Sequence, residues 1–237
     1  MAAVQKFLSV CDPGISLLFV DDGSTDNTAE ILESLVQGQP ERSRYMSLPQ
    51  NSGKAEAVRQ GILAALDQNA TIVGYWDADL ATPLEQIPDF VERLKRQPQI
   101  ECVLGSRVHL LGSSIHRSPH RHYLGRFFAT IVSLVLNLAV YDSQCGAKAF
   151  RVTENTREVF SERFQSTWIF DVELLGRYLS IYRRQNPNPE SQRLSEFPLP
   201  QWRDVAGSKL RPGHAFEAAS QLAQLYWNTL RHLPTSS

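Results

Sequence analysis

From Ile15 to Gly105 the chain alternates short apolar or β-branched runs with segments of helical periodicity, and this alternation restricts the fold more than any other feature. Ile15 to Val20, Tyr45 to Leu48, Thr71 to Trp76 and Glu101 to Gly105 read as strands; Thr25 to Gln37, Gly53 to Asp67 and Leu84 to Arg96 read as the helices between them. Parallel strands need long crossover connections, and helices of this length supply them, so the pattern predicts an α/β fold with a mostly parallel sheet and right-handed crossovers. Ligands of such sheets gather at the carboxyl ends of the strands. Asp21, Asp22, Asp77, Asp79 and Arg107 all fall at those ends.

The strongest chemical signal is Gly74-Tyr75-Trp76-Asp77-Ala78-Asp79-Leu80-Ala81-Thr82, where an apolar strand runs into two carboxylates one residue apart. Hard oxygens so placed suit Mg²⁺ or Mn²⁺, with the remaining metal positions open to a diphosphate. Alone, an Asp-x-Asp is commonly a solvated turn. Its company changes the reading toward a nucleotide-sugar site: Phe19 to Asp26 upstream (FVDDGSTD), Asn51-Ser52-Gly53-Lys54 between, and Gly105-Ser106-Arg107 downstream.

At 237 residues, 42% of them hydrophobic, the chain can bury one sizeable core, and nothing calls for a second domain. A formal net charge of −1 argues against a general nucleic-acid binder. Cys11, Cys102 and Cys145 share no metal-binding spacing and read as reduced thiols. Met1 to Val10 is a short apolar stretch without a leader-cleavage pattern, which predicts a protein kept in the cytoplasm. Phe127 to Tyr141 is too short for the ~20 residues of a bilayer span and reads as a buried helix, with a helix at a membrane interface as the alternative.

The second half is less regular. Arg117 to Arg126 is basic and His-rich, Asp142 to Phe150 is a polar turn entering a short strand, and Trp168 to Tyr182 is helical. Asn186 to Glu190 is a loop, Leu194 to Leu199 a last strand, and His214 to His232 an amphipathic helix. The expected organisation is a single domain over 1–237, with a nucleotide-sugar-binding half (1–110), an acceptor-binding half (111–212) and the C-terminal helix (213–237).

The ordered set VDDGSTDNT (Val20 to Thr28), NSGKAEAV (Asn51 to Val58), DADLAT (Asp77 to Thr82), GSR (Gly105 to Arg107), DSQCGAKAF (Asp142 to Phe150), WIFDVELL (Trp168 to Leu175) and WRDVAGSKL (Trp202 to Leu210) resembles the family 2 glycosyltransferases of GT-A fold. More narrowly it is similar to the dolichyl-phosphate β-glucosyltransferases and their polyprenyl-phosphate relatives. The resemblance implies transfer of glucose from UDP-glucose to a polyprenyl phosphate, metal-dependent and inverting, by an enzyme in peripheral contact with the cytosolic face of a membrane. A mannosyl donor, a soluble hydroxyl acceptor, and a silent nucleotide-sugar-binding protein are the alternatives. Family members open with a strand and a Pro-Ala-Tyr-Asn-Glu-like loop, whereas this chain starts at a point resembling the middle of the first helix. The resemblance therefore implies a GT-A sheet lacking its first strand. The resemblance also leads to the expectation that the transmembrane helix many relatives carry at one terminus is missing, with membrane contact peripheral.

Carried over residue by residue, Asp22 is expected to accept the uracil N3–H and Asp21 to support its turn. Gly53 and Lys54 open a helix suited to phosphate. Asp79 is expected to ligate the metal directly, with Asp77 on the ribose or a bridging water. A lipid monophosphate is already anionic at neutral pH, its second pKa being ~6, so no general base is required. Arg107, Arg121 and Lys148 are the expected cations for that phosphate, with Arg117 and Arg126 read as solvated or membrane-facing. Gln144 is placed on the donor sugar or phosphate. Asp171 is placed at a helix start or on the sugar, and would be the base if the acceptor were a hydroxyl. Lys209 is placed in a loop closing over the diphosphate.

Overall fold

A computed structural model describes residues 2–116, 119–185, 193–204 and 212–228; for 119–124, 212–216 and 228 only the backbone is described. The chain opens with helix α1 (Ala2–Val10), followed by β1 (Leu17–Asp21), α2 (Thr28–Gln37), β2 (Ser43–Ser47), α3 (Lys54–Leu66) and β3 (Ile72–Trp76). A 3₁₀ turn (Leu84–Gln86) leads into α4 (Ile87–Arg96), then β4 (Cys102–Ser106), β5 (Ser114–His116), α5 (Pro119–Leu136), β6 (Ala147–Arg151) and α6 (Glu154–Ser161). The remainder is α7 (Phe170–Gln185), β7 (Leu194–Pro198), β8 (Gln201–Arg203) and α8 (Pro212–Asn228). The strands and helices expected up to Gly105 are all present within a few residues of their expected bounds. From Pro119 on, the basic segment before Phe127 belongs to α5 rather than preceding it, and β5 and β8 are short strands that the sequence pattern does not mark.

The strands form a parallel pair β1-β2, a four-stranded sheet in the order β3-β6-β4-β7, and a parallel pair β5-β8. In the four-stranded sheet β4 pairs with β7 in parallel, and only β6 runs against its neighbours. The reversal follows from connectivity. The 18-residue α5 and the turn after it bring the chain back to the carboxyl ends of β3 and β4, so the next strand starts where those two finish.

Among the described residues the pair β1-β2 shares no ladder with the larger sheet, so β1 and β3 each have a neighbour on one side only. Helices join the two. On one face α1 contributes Val4, Phe7 and Leu8 to a cluster with Leu35, Leu84, Phe19 and Trp76, touching both sheets. On the other face α3 packs against β1 and β3 alike. Along β3 the period of two is kept: Val73 and Tyr75 enter the main core with Cys102, Leu104, Phe150 and α7, while Ile72 and Trp76 face Phe90 and Leu94 of α4.

One arginine fastens α1. The Arg42 guanidinium donates to the carbonyl oxygens of Leu8 in the last turn of α1 and of Cys11, Asp12 (2.7 Å) and Ile15 (2.9 Å) in the loop that follows it. Hydrogen bonds to a charged group are worth ~1.5–3 kcal/mol each. Arg42→Ala is therefore expected to lower the unfolding free energy by about 2–4 kcal/mol, read as a lower denaturation midpoint, and Arg42→Lys to recover little because a single ammonium cannot span these acceptors. A loss below ~0.5 kcal/mol would show that α1 is held by its apolar face alone.

Candidate active site

The segment after β3 is a closed turn rather than a free loop. Leu80 N–H donates to the Asp77 carbonyl (3.1 Å), and Leu80 itself sits in the left-handed region at φ 54°, a strain of order 1 kcal/mol for a leucine. Ala81 N–H donates to Asp79 Oδ1 (3.0 Å), the Trp76 indole N–H to the Thr82 carbonyl (3.1 Å), and Arg203 N–H to the Ala81 carbonyl (3.0 Å). Asp79 is exposed and Asp77 half-buried. Asp77 N–H is bound to the Gly146 carbonyl (2.8 Å), and a Cβ built on Gly146 would lie 1.9 Å from Asp77 Oδ2. Gly146 is thus the space that the Asp77 carboxylate fills.

Across the strand ends, Lys54 Nζ lies 2.6 Å from Asp77 Oδ1 and 5.9 Å from the centre of the Phe170 ring. Burial acts to lower the Lys54 pKa, but Asp77, and behind it Asp171 and Asp79, more than offset this and hold it above its ordinary value. Asp21 is buried and accepts from Ser24 N–H (3.1 Å), the Ser24 hydroxyl and the Ser47 hydroxyl (3.0 Å). The Ser24 hydroxyl is the largest influence holding its carboxyl below the usual range. Asp22 accepts from Ser52 N–H (2.7 Å) and Gly53 N–H (2.8 Å). The Gly53 amide, expected on a phosphate, is therefore spent on Asp22. Each carboxylate oxygen of Asp22 retains acceptor capacity for a further donor.

A second group lies at the end of β4. Arg107 makes a bidentate pair with Asp142, Nε to Oδ2 at 2.6 Å and Nη2 to Oδ1 at 2.7 Å, and its guanidinium lies 5.4 Å from the Trp202 ring. Burial alone would weaken the Arg107 charge; Asp142 reverses that and raises its pKa. Glu196 of β7 fixes the loop carrying Asp142 by accepting the N–H groups of Tyr141 and Asp142, each at 2.8 Å. Beside this network is a cavity of about 60 Å³ lined by Arg107, Arg126, Tyr141, Ser143 and Gln144, with the Arg126 guanidinium 3.6 Å from the Tyr141 ring centre. Among the described residues the Ser143 hydroxyl and the Gln144 Nε2 are buried without a hydrogen-bond partner. The Arg121 side chain and Lys209 lie outside the described residues.

Lys148 is placed differently from the expectation of a cation facing the acceptor. Its ammonium is fully buried, donating to the Cys145 carbonyl (2.7 Å) and to Asp171 Oδ1 (2.5 Å), and the Tyr75 hydroxyl donates to the same oxygen. The alternation along β6 turns Lys148 into the core face of the sheet, where Asp171 is its counter-charge. Tyr75, Asp142, Gly146, Ser143 and Glu196 were not singled out from sequence. The one available signal was that Asp142 and Gly146 stand inside the same short polar motif as Gln144.

Asp77 and Asp79 suit a divalent cation. Their oxygens are hard, Asp79 is open to solvent, and Asp77 already holds a cation in the Lys54 ammonium. Among the described residues no cluster of three or more His, Cys, Asp or Glu completes a shell, so diphosphate and water oxygens would have to supply the remaining ligands.

Comparison with known proteins places this geometry. Residues 2–156 match the model of glycosyl transferase family 2. The chain is 32% identical over 214 residues to a dolichyl-phosphate beta-glucosyltransferase of Dictyostelium discoideum, covering 88% of this chain and 60% of that protein. It is 33% identical over 217 residues to the Homo sapiens dolichyl-phosphate beta-glucosyltransferase, covering 85% and 60%. The chain thus spans about three fifths of the length of these relatives. Among solved structures it superposes on Mycobacterium tuberculosis glucosyl-3-phosphoglycerate synthase, solved with Mn²⁺ and UDP-glucose, with a TM-score of 0.60 at 19% identity, covering 99% of this chain and 76% of that one. That likeness fixes the fold as GT-A. With the carboxylate turn after β3 inside the matched span, the chain belongs to glycosyl transferase family 2.

Proposed function

We propose that this chain is a hexosyltransferase that moves glucose from UDP-glucose to a polyprenyl (dolichyl-type) phosphate, with a divalent metal and inversion at the anomeric carbon. The observation that carries the reading is the pairing of two unlike sites at the carboxyl ends of β3 and β4, the two strands that flank β6. Asp77, Asp79 and Lys54 form a place for a metal-bound diphosphate, and the arginine-lined cavity with unpartnered Ser143 and Gln144 donors forms a place for an anion. The likeness to dolichyl-phosphate beta-glucosyltransferases supports a glucosyl group and a dolichyl-type phosphate acceptor.

In this reading an oxygen of the acceptor phosphate attacks the anomeric carbon from the side opposite UDP. The new O–C bond forms as the bond to the diphosphate oxygen breaks, and UDP leaves with that electron pair. Asp79 and Asp77 would hold Mg²⁺ or Mn²⁺, which supplies charge neutralisation for the leaving diphosphate. Lys54 adds a cation on the same side. Arg107, which Asp142 clamps, and Arg126 beside it bring the acceptor into line, with Arg121 as the further cation expected from the sequence, the contribution expected where orientation replaces base catalysis. No base is needed in this reading, because the acceptor phosphate is already anionic.

Contact with a membrane surface fits the exposed apolar side chains of the two helices flanking this half: Phe127 (66% exposed) and Leu134 (77%) on α5, and Trp227 (59%) on α8. Among the described residues no helix is long and apolar enough to cross a membrane. The cytosolic face is proposed as the place of action, because the nucleotide-sugar donor is a soluble anion.

The deciding experiment offers the protein UDP-[¹⁴C]glucose or GDP-[¹⁴C]mannose, with polyprenyl phosphate in detergent, with and without chelator. Label is expected in the organic-extractable product from UDP-glucose only, and chelation is expected to abolish it. Label retained in a water-soluble glucoside, or no product from either donor, would overturn the reading.

A further inference from the structure

Tyr75 and Lys148 stand directly opposite each other in the β3-β6 ladder and on the same face of the sheet, and both aim at one oxygen. That oxygen is Asp171 Oδ1, at the first turn of α7, where the helix dipole also favours a negative charge. All three side chains are removed from solvent: Lys148 is 0% exposed, Asp171 4% and Tyr75 9%. A buried ion pair is poor value as a stabilising device, because desolvating two charges consumes most of what their attraction returns, and apolar residues of equal volume commonly do as well. Its retention under a strand-end site points to a task for the carboxylate.

The geometry says what is left over for that task. Both donors are spent on Oδ1, and neither engages Oδ2. Burial, reinforced by the Asp171 charge, pushes the Tyr75 hydroxyl well above its ordinary pKa, so it keeps its proton and can act only as a donor to the carboxylate. Lys148 also donates to the Cys145 carbonyl, next to the Gly146 that makes room for Asp77, so the same ammonium ties the start of α7 to the loop carrying Ser143 and Gln144. Asp171 in turn lies at the edge of the open site: it follows Phe170, whose ring centre is 5.9 Å from the Lys54 ammonium that pairs with Asp77. A carboxylate oxygen at the inner edge of a nucleotide-sugar site, braced from behind by two donors on its twin, is placed to accept from a neutral hydroxyl.

We propose that Tyr75 and Lys148 are positioning residues that fix the Asp171 carboxylate so that Oδ2 accepts a hydrogen bond from a hydroxyl of the donor hexose. The inference rests on the UDP-glucose reading above and adds how the site distinguishes the sugar from the bare nucleotide. Tyr75→Phe tests it, because it removes one donor at constant shape. With Mn²⁺ present, affinity for UDP is expected to stay within about twofold of wild type, while affinity for UDP-glucose falls about tenfold, and the melting temperature shifts by no more than a few degrees.

Asp171→Asn is expected to show the same split, and the double variant no more than about a further twofold loss, since Tyr75 acts through Asp171. Should Asp171→Asn not fold, the UDP against UDP-glucose split in Tyr75→Phe decides alone. Equal losses for UDP and UDP-glucose, unchanged UDP-glucose binding, or fully additive losses in the double variant would overturn the brace while leaving the donor reading intact. A wild-type protein that binds neither UDP nor UDP-glucose would overturn both.

Discussion

Asp79→Asn is expected to leave a folded protein that has lost transfer, by far more than tenfold. Asp79 is exposed at the tip of a turn, and the bond it accepts from Ala81 N–H, its one such bond among the described residues, can be kept by an amide oxygen, so stability has little to lose. A neutral amide cannot, however, replace a hard anionic ligand opposite a leaving diphosphate. Retention of more than about a tenth of the wild-type rate, a barrier change under ~1.4 kcal/mol, would remove Asp79 from the metal site. Circular dichroism and thermal melts on the same preparation separate this result from unfolding.

The second large effect falls on a residue with no functional group. Gly146→Ala would put a methyl carbon 1.9 Å from Asp77 Oδ2 and 2.1 Å from Asp77 Cγ, far inside contact distance. The carboxylate has to move by an ångström or more, or the loop from Asp142 has to retreat from β3 and give up the bond from Asp77 N–H. Misplacement on that scale costs of order 100-fold in rate. The expected signature is a loss of about that size together with weakened Mn²⁺ binding, in a protein whose melting temperature falls only modestly. Transfer within threefold of wild type would show that Asp77 does not need its present position.

The two substitutions differ in how visible their targets are before a structure exists. Asp79 can be picked out because its chemistry is carried by its own side chain and by spacing, two carboxylates after an apolar run. Gly146 cannot, because its role is defined by what occupies the space beside it, and that neighbour is on a strand far away in the chain. Lys148 shows the same limit from the other direction. As a lysine in a polar motif it reads as a cation for an anionic substrate, whereas the parity of β6 points it into the core, where a carboxylate 23 residues onward receives it. Asp22 and Gly53 likewise satisfy each other, although each reads separately as a ligand-binding group.

What the sequence by itself determined is therefore local: which segments are strands and which helices up to Gly105, and that carboxylates cluster at strand ends. Hydrophobic period, turn residues and Asp-x-Asp spacing are properties of neighbours in the chain, and they can be read one window at a time. What only the tertiary structure decided is non-local. It set the reversed direction of β6, the separation of β1-β2 from the larger sheet among the described residues, the clamp of Glu196 on the Asp142 loop, and the partner of each buried charge. The reason is energetic. A buried lysine or aspartate is tolerated only where a specific opposite group meets it, and which group does so depends on how separate elements pack rather than on any run of adjacent residues.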